Sequence, residues 1–574
     1  MTVTDVERAV GASGLLHTFN EAGVLDVADV RVAERICFLG KESDELVMLA
    51  VALLVRGLRS GSVCIELASV ASAVGVEDVS WPEPEGWLAA VRASALLGEP
   101  PVLHLYDDRL LYLDRYWREE KQVCDDLLAL RVSKPTGDVP AFERLFPAGF
   151  EEQREAAEIA LAQAVTVLTG GPGTGKTTTV ARLLALLAEQ AGTSRLRIAL
   201  AAPTGKAAAR LQEAVQHEVA KLDAADRSRL GELQAMTLHR LLGSRPDSSS
   251  RFRHNRANRL PHDVIVVDET SMVSLTMMAR LLEAVRPDAR LVLVGDADQL
   301  ASVEAGAVLA DLVDGLSARV DVKVAALRTS HRFGESIGAL ADAIRVGDAD
   351  SVLGLLRSGD EHIEFIENDA SDAMRAVLLP HALRLREAAL FAADDVALAT
   401  LDEHRLLCAH REGPYGVRHW NRQVEKWLSE ETGQPPWSEW YPGRPLLVTA
   451  NDYGLRVYNG DTGVVIAGPD GLRAIIAGAT GSLDFATSRL GDVETMHAMT
   501  IHKSQGSQAD AVTVLMPPED SRLLTRELFY TAVTRAKEKV RVVGSEASVR
   551  AGIGRRAIRA SGLAQRLQVT PPTT

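Results

Sequence analysis

The sequence has few cysteines and lacks a long hydrophobic run. Its four cysteines, Cys37, Cys64, Cys124 and Cys408, are too scattered for a zinc knuckle or a C-x-x-C redox pair, which indicates buried thiols in a reducing compartment. The longest strongly apolar run, residues 46–55, is too short to span a bilayer, and the N-terminus lacks the basic start and apolar core of a signal peptide. We therefore expect a cytoplasmic protein with no membrane partner.

An excess of basic residues is also missing, which excludes a generally basic, coat-like nucleic-acid binder. The 63 lysines and arginines face 78 acidic residues, and the net charge is -15, so any nucleic-acid site has to be a local patch. Lysine is scarce, with 11 lysines against 52 arginines, and each lysine inside a motif is therefore informative. The length of 574 residues predicts about three to five domains.

The chain changes character after its first quarter. Residues 1–118 carry apolar residues at helical spacing and end in a predicted hairpin, without a catalytic constellation, and residues 119–148 form a predicted linker. From residue 164 onward, short β-branched runs alternate with helical stretches, a pattern typical of parallel sheets with crossover helices. The sequence therefore predicts an α/β protein with a mainly helical N-terminal domain.

Two stretches interrupt the α/β pattern. Residues 244–262 are polar and arginine-rich, which predicts an inserted loop or hairpin. Residues 441–492 have closely spaced turn signals between short apolar runs, which predicts a small β insert of SH3-like type. The tail at 569–574 is predicted to be disordered.

A glycine-rich loop matches the phosphate-binding pattern G-x-x-x-x-G-K-[ST]. A β-like run precedes it and a helical stretch follows, an arrangement that points backbone N–H groups at phosphates, whereas the alternative is an ordinary glycine-rich turn. Lys176 can reach the β and γ phosphates of ATP, and the Thr177 hydroxyl can hold Mg²⁺. The candidate ATP ligands of this loop are Gly170, Gly171, Pro172, Gly173, Thr174, Gly175, Lys176, Thr177 and Thr178.

Two later strands end in polar residues. Residues 264–267 precede Asp268, which suits metal coordination, and Glu269, which suits a general base. Residues 291–294 lead to Gln299, which could sense the γ-phosphate or orient water. The alternative at each strand end is a solvated or capped turn.

Two arginines are candidate fingers for the γ-phosphate. Arg332 lies in LRTSHR and Arg535 lies in YTAVTRAK. In a chain with 52 arginines the alternative for each is an ordinary surface residue, and only the surrounding motifs favour a role.

Together these blocks resemble the motifs of superfamily 1 helicases, in order and over most of residues 150–545. Gln153 is placed like the adenine-reading glutamine ahead of the phosphate loop, although a surface helix position is the alternative. Residues 202–208 and 237–243 resemble the blocks that contact single-stranded DNA, and residues 500–506 resemble the block that couples DNA to the nucleotide. The residues that this resemblance marks as DNA ligands are Thr204, Lys206, Thr237, His239, Thr500, His502 and Lys503.

The block T-x-H-K-x-Q-G at 500–506 resembles the branch of these helicases that moves 5′ to 3′. Residues 301–309, 407–417 and 451–463 further resemble the RecD family, the alpha subunits of the RecBCD enzyme (exodeoxyribonuclease V). The resemblance implies ATP and Mg²⁺ as cofactors and, as partners, DNA together with RecB-like and RecC-like subunits. A nuclease site is expected in a partner chain, since no separate carboxylate–lysine cluster is evident.

The same resemblance implies two RecA-like P-loop domains, at 149–320 and 321–568, with the nucleotide between them. It also implies an interaction role for residues 1–118, for which a structural brace of the motor is the alternative. A stand-alone RecD-like helicase is one alternative, although such proteins usually have a longer N-terminal part. A P-loop switch ATPase would share Lys176 and Asp268 but would not need the DNA-contacting blocks. A non-catalytic scaffold would need a degraded phosphate loop, and this loop is intact.

Overall fold

The computed structural model describes residues 8–568, with gaps at 77–78, 131–141, 193–194, 246–247, 330–334, 368–369, 392, 434–438, 453 and 479–480. The candidate finger Arg332, the middle of the predicted linker and the predicted tail lie outside the described residues. Within the described part of the chain, no helix is both long and apolar enough to cross a bilayer.

The N-terminal region is mainly helical, as predicted. Its elements are α1 (Gly14–Glu21), α2 (Val27–Gly40), α3 (Glu45–Arg59), β1 (Ile65–Glu66), α4 (Val70–Val74), α5 (Pro84–Ala93), β2 (Leu103–Tyr106), β3 (Leu110–Leu113) and α6 (Asp114–Ala129). Asp44 caps α3, where its side chain accepts from the Leu46 N–H at 2.8 Å. Asp107 and Asp108 both have positive φ in the three-residue turn between the paired residues Tyr106 and Leu110, and the predicted β2–β3 hairpin is confirmed.

A parallel sheet forms the centre of the next region, in the strand order β11-β4-β10-β9-β5-β6. Its elements are α7 (Phe142–Leu145), α8 (Glu151–Ala162), β4 (Val165–Gly170), α9 (Lys176–Gln190), β5 (Ile198–Ala202), α10 (Gly205–Ala220), α11 (Ala224–Leu230), β6 (Ala235–Thr237), α12 (Leu238–Leu242), β7 (Ser244–Arg245), β8 (Ser248–Phe252), β9 (Val264–Val267), α13 (Leu275–Ala284), β10 (Arg290–Gly295), α14 (Val308–Ser317) and β11 (Ala325–Leu327). Helices cover both faces, so β9 is apolar and buried along its whole length. The arginine-rich insert contains the antiparallel pair β7–β8.

A second parallel sheet follows, in the order β12-β21-β20-β13-β19. The elements of this region are α15 (Glu335–Val346), α16 (Ala349–Leu356), β12 (Ile363–Ile366), α17 (Ala370–Phe391), α18 (Asp394–Asp402), β13 (His404–Cys408), α19 (Val417–Thr432), β14 (Pro445–Val448), β15 (Thr462–Gly468), β16 (Gly471–Gly478), β17 (Gly481–Ala486), β18 (Val493–Thr495), β19 (Ala498–Thr500), β20 (Ala509–Leu515), α20 (Arg526–Val533), β21 (Ala536–Val543), α21 (Glu546–Gly554) and α22 (Leu563–Gln568). The strands β14 to β18 form an antiparallel sheet across the predicted β insert. The predicted α/β fold with two parallel-sheet domains is confirmed.

The packing differs from the predicted domain boundaries at three points. Strand β11 pairs with β4, so the first sheet continues past residue 320. Helix α6 packs against α13 and continues through residue 118, because its apolar face belongs to the core under the first sheet. The last helix, α22, packs on α14 and α6 instead of on the second sheet, and the Val63 N–H donates to the Ala560 carbonyl at 2.9 Å.

Candidate nucleotide and DNA site

The phosphate loop connects the end of β4 to the first turn of α9. Gly173 and Gly175 have φ values of 82° and 85°, a region that glycine adopts without strain. The Lys176 ammonium donates to the carbonyls of Gly170 at 2.6 Å and Gly171 at 2.8 Å. The loop therefore holds its lysine over the helix N-terminus, where backbone N–H groups and the helix dipole favour an anion.

A cleft of about 1090 Å³ opens beside this loop, and both parallel-sheet regions line it. The predicted nucleotide-site residues that line this cleft are Gln153, Pro172, Gly173, Gly175, Lys176, Thr177, Thr178, Asp268, Glu269, Gln299 and Arg535. Gly170, Gly171 and Thr174 belong to the same loop without lining the cleft. Residues more than 350 positions apart in the sequence thus share one cavity that is large enough for a nucleotide.

Asp268 and Glu269 stand at the carboxyl end of β9. Glu269 has a φ of 50°, an uncommon value for a residue with a side chain and typical of functional sites. Burial, and then the charge of Glu269, raise the pKa of Asp268 to about 6. Two adjacent carboxylates and the Thr177 hydroxyl in one cleft are oxygen donors of the kind that Mg²⁺ prefers, and these residues therefore fit that ion.

Sequence reasoning missed Asp296 and Tyr530. The buried Asp296 carboxylate accepts hydrogen bonds from Gln299 Nε2 at 2.9 Å and from the Tyr530 hydroxyl at 3.1 Å. Gln299 Oε1 is buried and has no hydrogen-bond partner in the described part of the chain, so this oxygen can accept a hydrogen bond from a water molecule. The available signal was the position of Asp296 directly after a strand and that of Tyr530 in the same block as Arg535.

Gln153 and Arg535 are both buried. Gln153 Nε2 donates to the Thr174 carbonyl at 3.2 Å, which attaches α8 to the phosphate loop. Arg535 Nε donates to the Thr531 carbonyl at 3.0 Å, so the end of α20 holds this guanidinium at the cleft wall. Arg210, on α10, also lines the cleft, although the sequence analysis did not identify it.

The first DNA-candidate blocks lie at one edge of the first sheet. Thr204 caps α10 by accepting from the Ala207 N–H at 3.2 Å, and Thr237 caps α12 in the same way. Because β5 and β6 are parallel neighbours, both caps lie at the same end of the sheet. Burial, and then Arg210, lower the pKa of the Lys206 ammonium to about 7.

The residues His239 and Phe252 link the second block to the arginine-rich insert. Their rings are 5.7 Å apart in an edge-on arrangement, and burial lowers the pKa of His239. Phe252 ends β8, so the hairpin packs directly against the predicted DNA ligand.

The third block, residues 500–506, follows the edge strand β19 of the second sheet. Thr500 Oγ1 accepts from the Lys503 N–H at 3.2 Å, and Lys503 Nζ forms an ion pair with Glu494 at 3.3 Å. Burial lowers the pKa of His502. A Cβ on Gly506 would lie 3.6 Å from that of Ala207, so this block contacts the start of α10. The DNA-candidate blocks of the two regions are therefore neighbours in space.

The two parallel sheets share a cleft that contains the phosphate loop, and the DNA-candidate blocks lie next to each other beside it. This arrangement defines a helicase-type motor. Models of known families match the chain in three places: an AAA domain at residues 153–305, a UvrD-like helicase C-terminal domain at 495–543, and the N-terminal domain of RecBCD enzyme subunit RecD at 21–110.

Similar proteins identify the family. RecBCD enzyme subunit RecD of Mycobacterium tuberculosis (strain ATCC 25618 / H37Rv) is 75% identical over 574 residues, which cover 99% of this chain and 100% of that protein. The ATP-dependent RecD2 DNA helicase of Deinococcus radiodurans is 31% identical over 442 residues, which cover 76% of this chain and 55% of that protein. A solved Bacteroides Pif1 helicase in complex with ADP-AlF3 and ssDNA is 18% identical, with coverage of 68% of this chain and 91% of that one and a TM-score of 0.38. The chain belongs to the RecD family.

Proposed function

We propose that the chain is an ATP-dependent 5′-to-3′ single-stranded DNA translocase and helicase. In this proposal it is the motor subunit of a RecBCD helicase–nuclease in double-strand break repair and homologous recombination, and the nuclease belongs to a partner chain. The observation that carries the proposal is the cleft that joins Lys176 and Glu269 of the first sheet region to Arg535 of the second. A P-loop switch ATPase would account for the cleft but not for the neighbouring DNA-candidate blocks.

Sequence identity favours a complex subunit over a stand-alone helicase. The chain is 75% identical to the RecD subunit but 31% identical to the RecD2 helicase. We therefore propose RecB-like and RecC-like subunits and DNA as partners, a cytoplasmic location, and residues 1–118 as the interaction domain.

The cleft residues have distinct roles in the proposed hydrolysis. Thr177 and Asp268 would hold Mg²⁺, which would supply positive charge that neutralises part of the charge of the phosphates. Glu269 accepts a proton from the attacking water, and the free Gln299 Oε1 orients that water. Lys176 and Arg535 stabilise negative charge at the γ-phosphate, and an arginine in such a position contributes a factor of about 10³ to 10⁵ in rate.

Contacts between the two sheet regions connect hydrolysis to movement along DNA. Thr531 Oγ1 accepts from the Leu300 N–H at 2.9 Å, and Gln505 Nε2 donates to the Leu300 carbonyl at 2.7 Å. Opening and closing of the cleft therefore shifts the block containing Lys503 relative to the one containing Lys206. Repeated shifts convert hydrolysis into stepwise translocation.

The first test separates nucleotide binding from hydrolysis. Lys176→Ala should abolish DNA-stimulated ATP hydrolysis, whereas Glu269→Gln should still bind ATP but hydrolyse it about 10²- to 10⁴-fold more slowly, the usual contribution of a general base. Lys121→Ala, which removes an exposed ion pair with Asp125, is the control. ATP turnover is measured with and without single-stranded DNA, and near-normal turnover of either site variant contradicts the proposed site.

The direction of movement has its own assay. Full-length protein should displace an oligonucleotide from a substrate with a 5′ tail, in an ATP-dependent reaction that Lys176→Ala abolishes. Displacement only from 3′-tailed substrates would contradict the 5′-to-3′ assignment.

A further inference from the structure

Arg210 is a positively charged residue of the nucleotide cleft with no role in the hydrolysis proposed above. It lies on α10, one helical turn after Lys206, and lines the same cavity as Lys176, Glu269 and Arg535. The helix that begins with the DNA-candidate residues therefore extends directly into the nucleotide site.

The Arg210 guanidinium is half-buried, yet it makes no hydrogen bond or ion pair with any described residue. The negative charges of Asp402 and Glu269 stabilise its charged form, and the positive charge of Arg535 disfavours it. Asp402 is already paired with Arg405 at 2.5 Å. A half-buried guanidinium that opens into the cleft can form charge-assisted hydrogen bonds with an anion that enters there.

The charges around Arg210 also favour binding of an anion there. Burial lowers the pKa of Arg210 to about 10, and the repulsion from Arg535 and Arg405 acts in the same direction. At neutral pH the group remains charged. Among the described residues, five lysines and arginines line this cavity, and they include Lys176 from the phosphate loop, Arg535 from the end of α20, and Arg210 from α10.

We propose that Arg210 binds the terminal phosphate of ATP as a third cationic ligand. The terminal phosphate is the part of the nucleotide with the most negative charge, and a planar guanidinium can donate two hydrogen bonds to it. This inference rests on the proposed ATPase function and extends it, because it connects the nucleotide to the helix that carries Thr204 and Lys206. Loss of the phosphate on hydrolysis then removes the bond to Arg210 and releases α10. This coupling between the nucleotide and α10 needs no residue of the second sheet region.

The test compares nucleotides that differ in the terminal phosphate. Full-length wild type, Arg210→Met, Arg210→Lys and the control Arg550→Ala are titrated with fluorescent ADP and with a fluorescent non-hydrolysable ATP analogue. Methionine keeps the aliphatic stem without the charge, and Arg550 is an exposed helix residue paired with Glu546. Arg210→Met should bind the ATP analogue about 10- to 100-fold more weakly, the effect of a lost charge-assisted hydrogen bond, and ADP as wild type does. Arg210→Lys keeps the positive charge, so it should retain part of the wild-type affinity for the ATP analogue.

Each other result overturns the inference. Equal weakening for both nucleotides means that Arg210 supports the fold of the cleft or contacts another part of the nucleotide. Unchanged affinities for both nucleotides mean that Arg210 does not bind the terminal phosphate of the bound nucleotide. If wild type binds neither nucleotide, the proposed ATPase function itself fails, which is distinct from failure of the Arg210 assignment.

Discussion

At the residue scale, partial burial sets the charge state of Lys206, one of the proposed DNA ligands. Lys206 is half-buried, and its pKa falls to about 7 because burial and the charges of Arg210 and Arg405 disfavour the ammonium, while Asp402 and Asp461 partly oppose them. This lysine is therefore only partly protonated near neutral pH, unlike an exposed lysine.

A pH-dependent DNA affinity follows. As the pH rises through about 7, Lys206 loses its charge. The affinity of the protein for single-stranded DNA should therefore fall by up to about tenfold between pH 6.5 and 8.5. Bound phosphate favours the ammonium and moves the midpoint upward. Anisotropy titrations of a labelled oligonucleotide at constant ionic strength measure this change.

Lys206→Arg is the matched variant for this measurement, because a guanidinium stays protonated throughout that range. Its affinity should be nearly independent of pH. A wild-type profile as flat as that of Lys206→Arg would show that Lys206 does not contact the DNA backbone. The Asp461 carboxyl, whose pKa burial raises to about 6, titrates below this window.

At the element scale, α6 and α22 pack against the first sheet region. Helix α6 connects the N-terminal region to it, and α22 connects the end of the described chain to it. Glu120 on α6 is fully buried and accepts hydrogen bonds from the Tyr112 hydroxyl at 3.0 Å and from Arg566 Nε on α22 at 2.7 Å. The Arg566 guanidinium also lies 3.9 Å from the centre of the Tyr106 ring. A buried ion pair therefore joins the two helices, and tyrosine side chains pack around it.

Arg566→Ala should destabilise this junction by about 3 to 5 kcal/mol, because it leaves the Glu120 carboxylate buried without its cation. A thermal unfolding scan and limited proteolysis at the chain end report the loss. Lys121→Ala removes the exposed Lys121–Asp125 pair from the same helix and should change stability by less than about 1 kcal/mol. Equal effects of the two variants would show that the buried pair does not hold the junction.

At the scale of the whole molecule, the N-terminal region exposes apolar side chains at the end of α2. Phe38 is 72% exposed and Leu39 is 64% exposed. Adjacent exposed apolar side chains mark an interaction surface more often than isolated ones do. Membership of the RecD family makes the large non-motor, RecC-like subunit the expected occupant.

Phe38→Ser combined with Leu39→Ser should reduce recovery of the RecB-like and RecC-like subunits by at least about tenfold, the effect of losing an aromatic anchor. DNA-stimulated ATP hydrolysis of the chain should be unchanged, because α2 lies outside the cleft. Phe391→Ser, which removes a phenylalanine that is 82% exposed at the end of α17, is the control. Co-purification from the host at native expression level provides the measurement, and full recovery with the double variant refutes docking through this surface.

The sequence by itself determined the class of fold and the local motifs. The phosphate loop, the carboxylates after β9 and the β2–β3 hairpin each depend on a few consecutive residues, whose backbone preferences and chemistry are visible in any short window. The alternation of buried strands and helices likewise predicted the parallel sheets, whose carboxyl ends collect the polar residues.

Only the tertiary structure decided which residues complete the site and where the domains end. Tyr530 reaches Asp296 across 234 positions, and Arg566 reaches Glu120 across 446. Arg210 enters the cleft because α10 packs beside α9, and α22 returns to α14 because its leucines fill the core of the first sheet region. Such contacts depend on the packing of distant helices, which no local pattern of polar and apolar residues encodes.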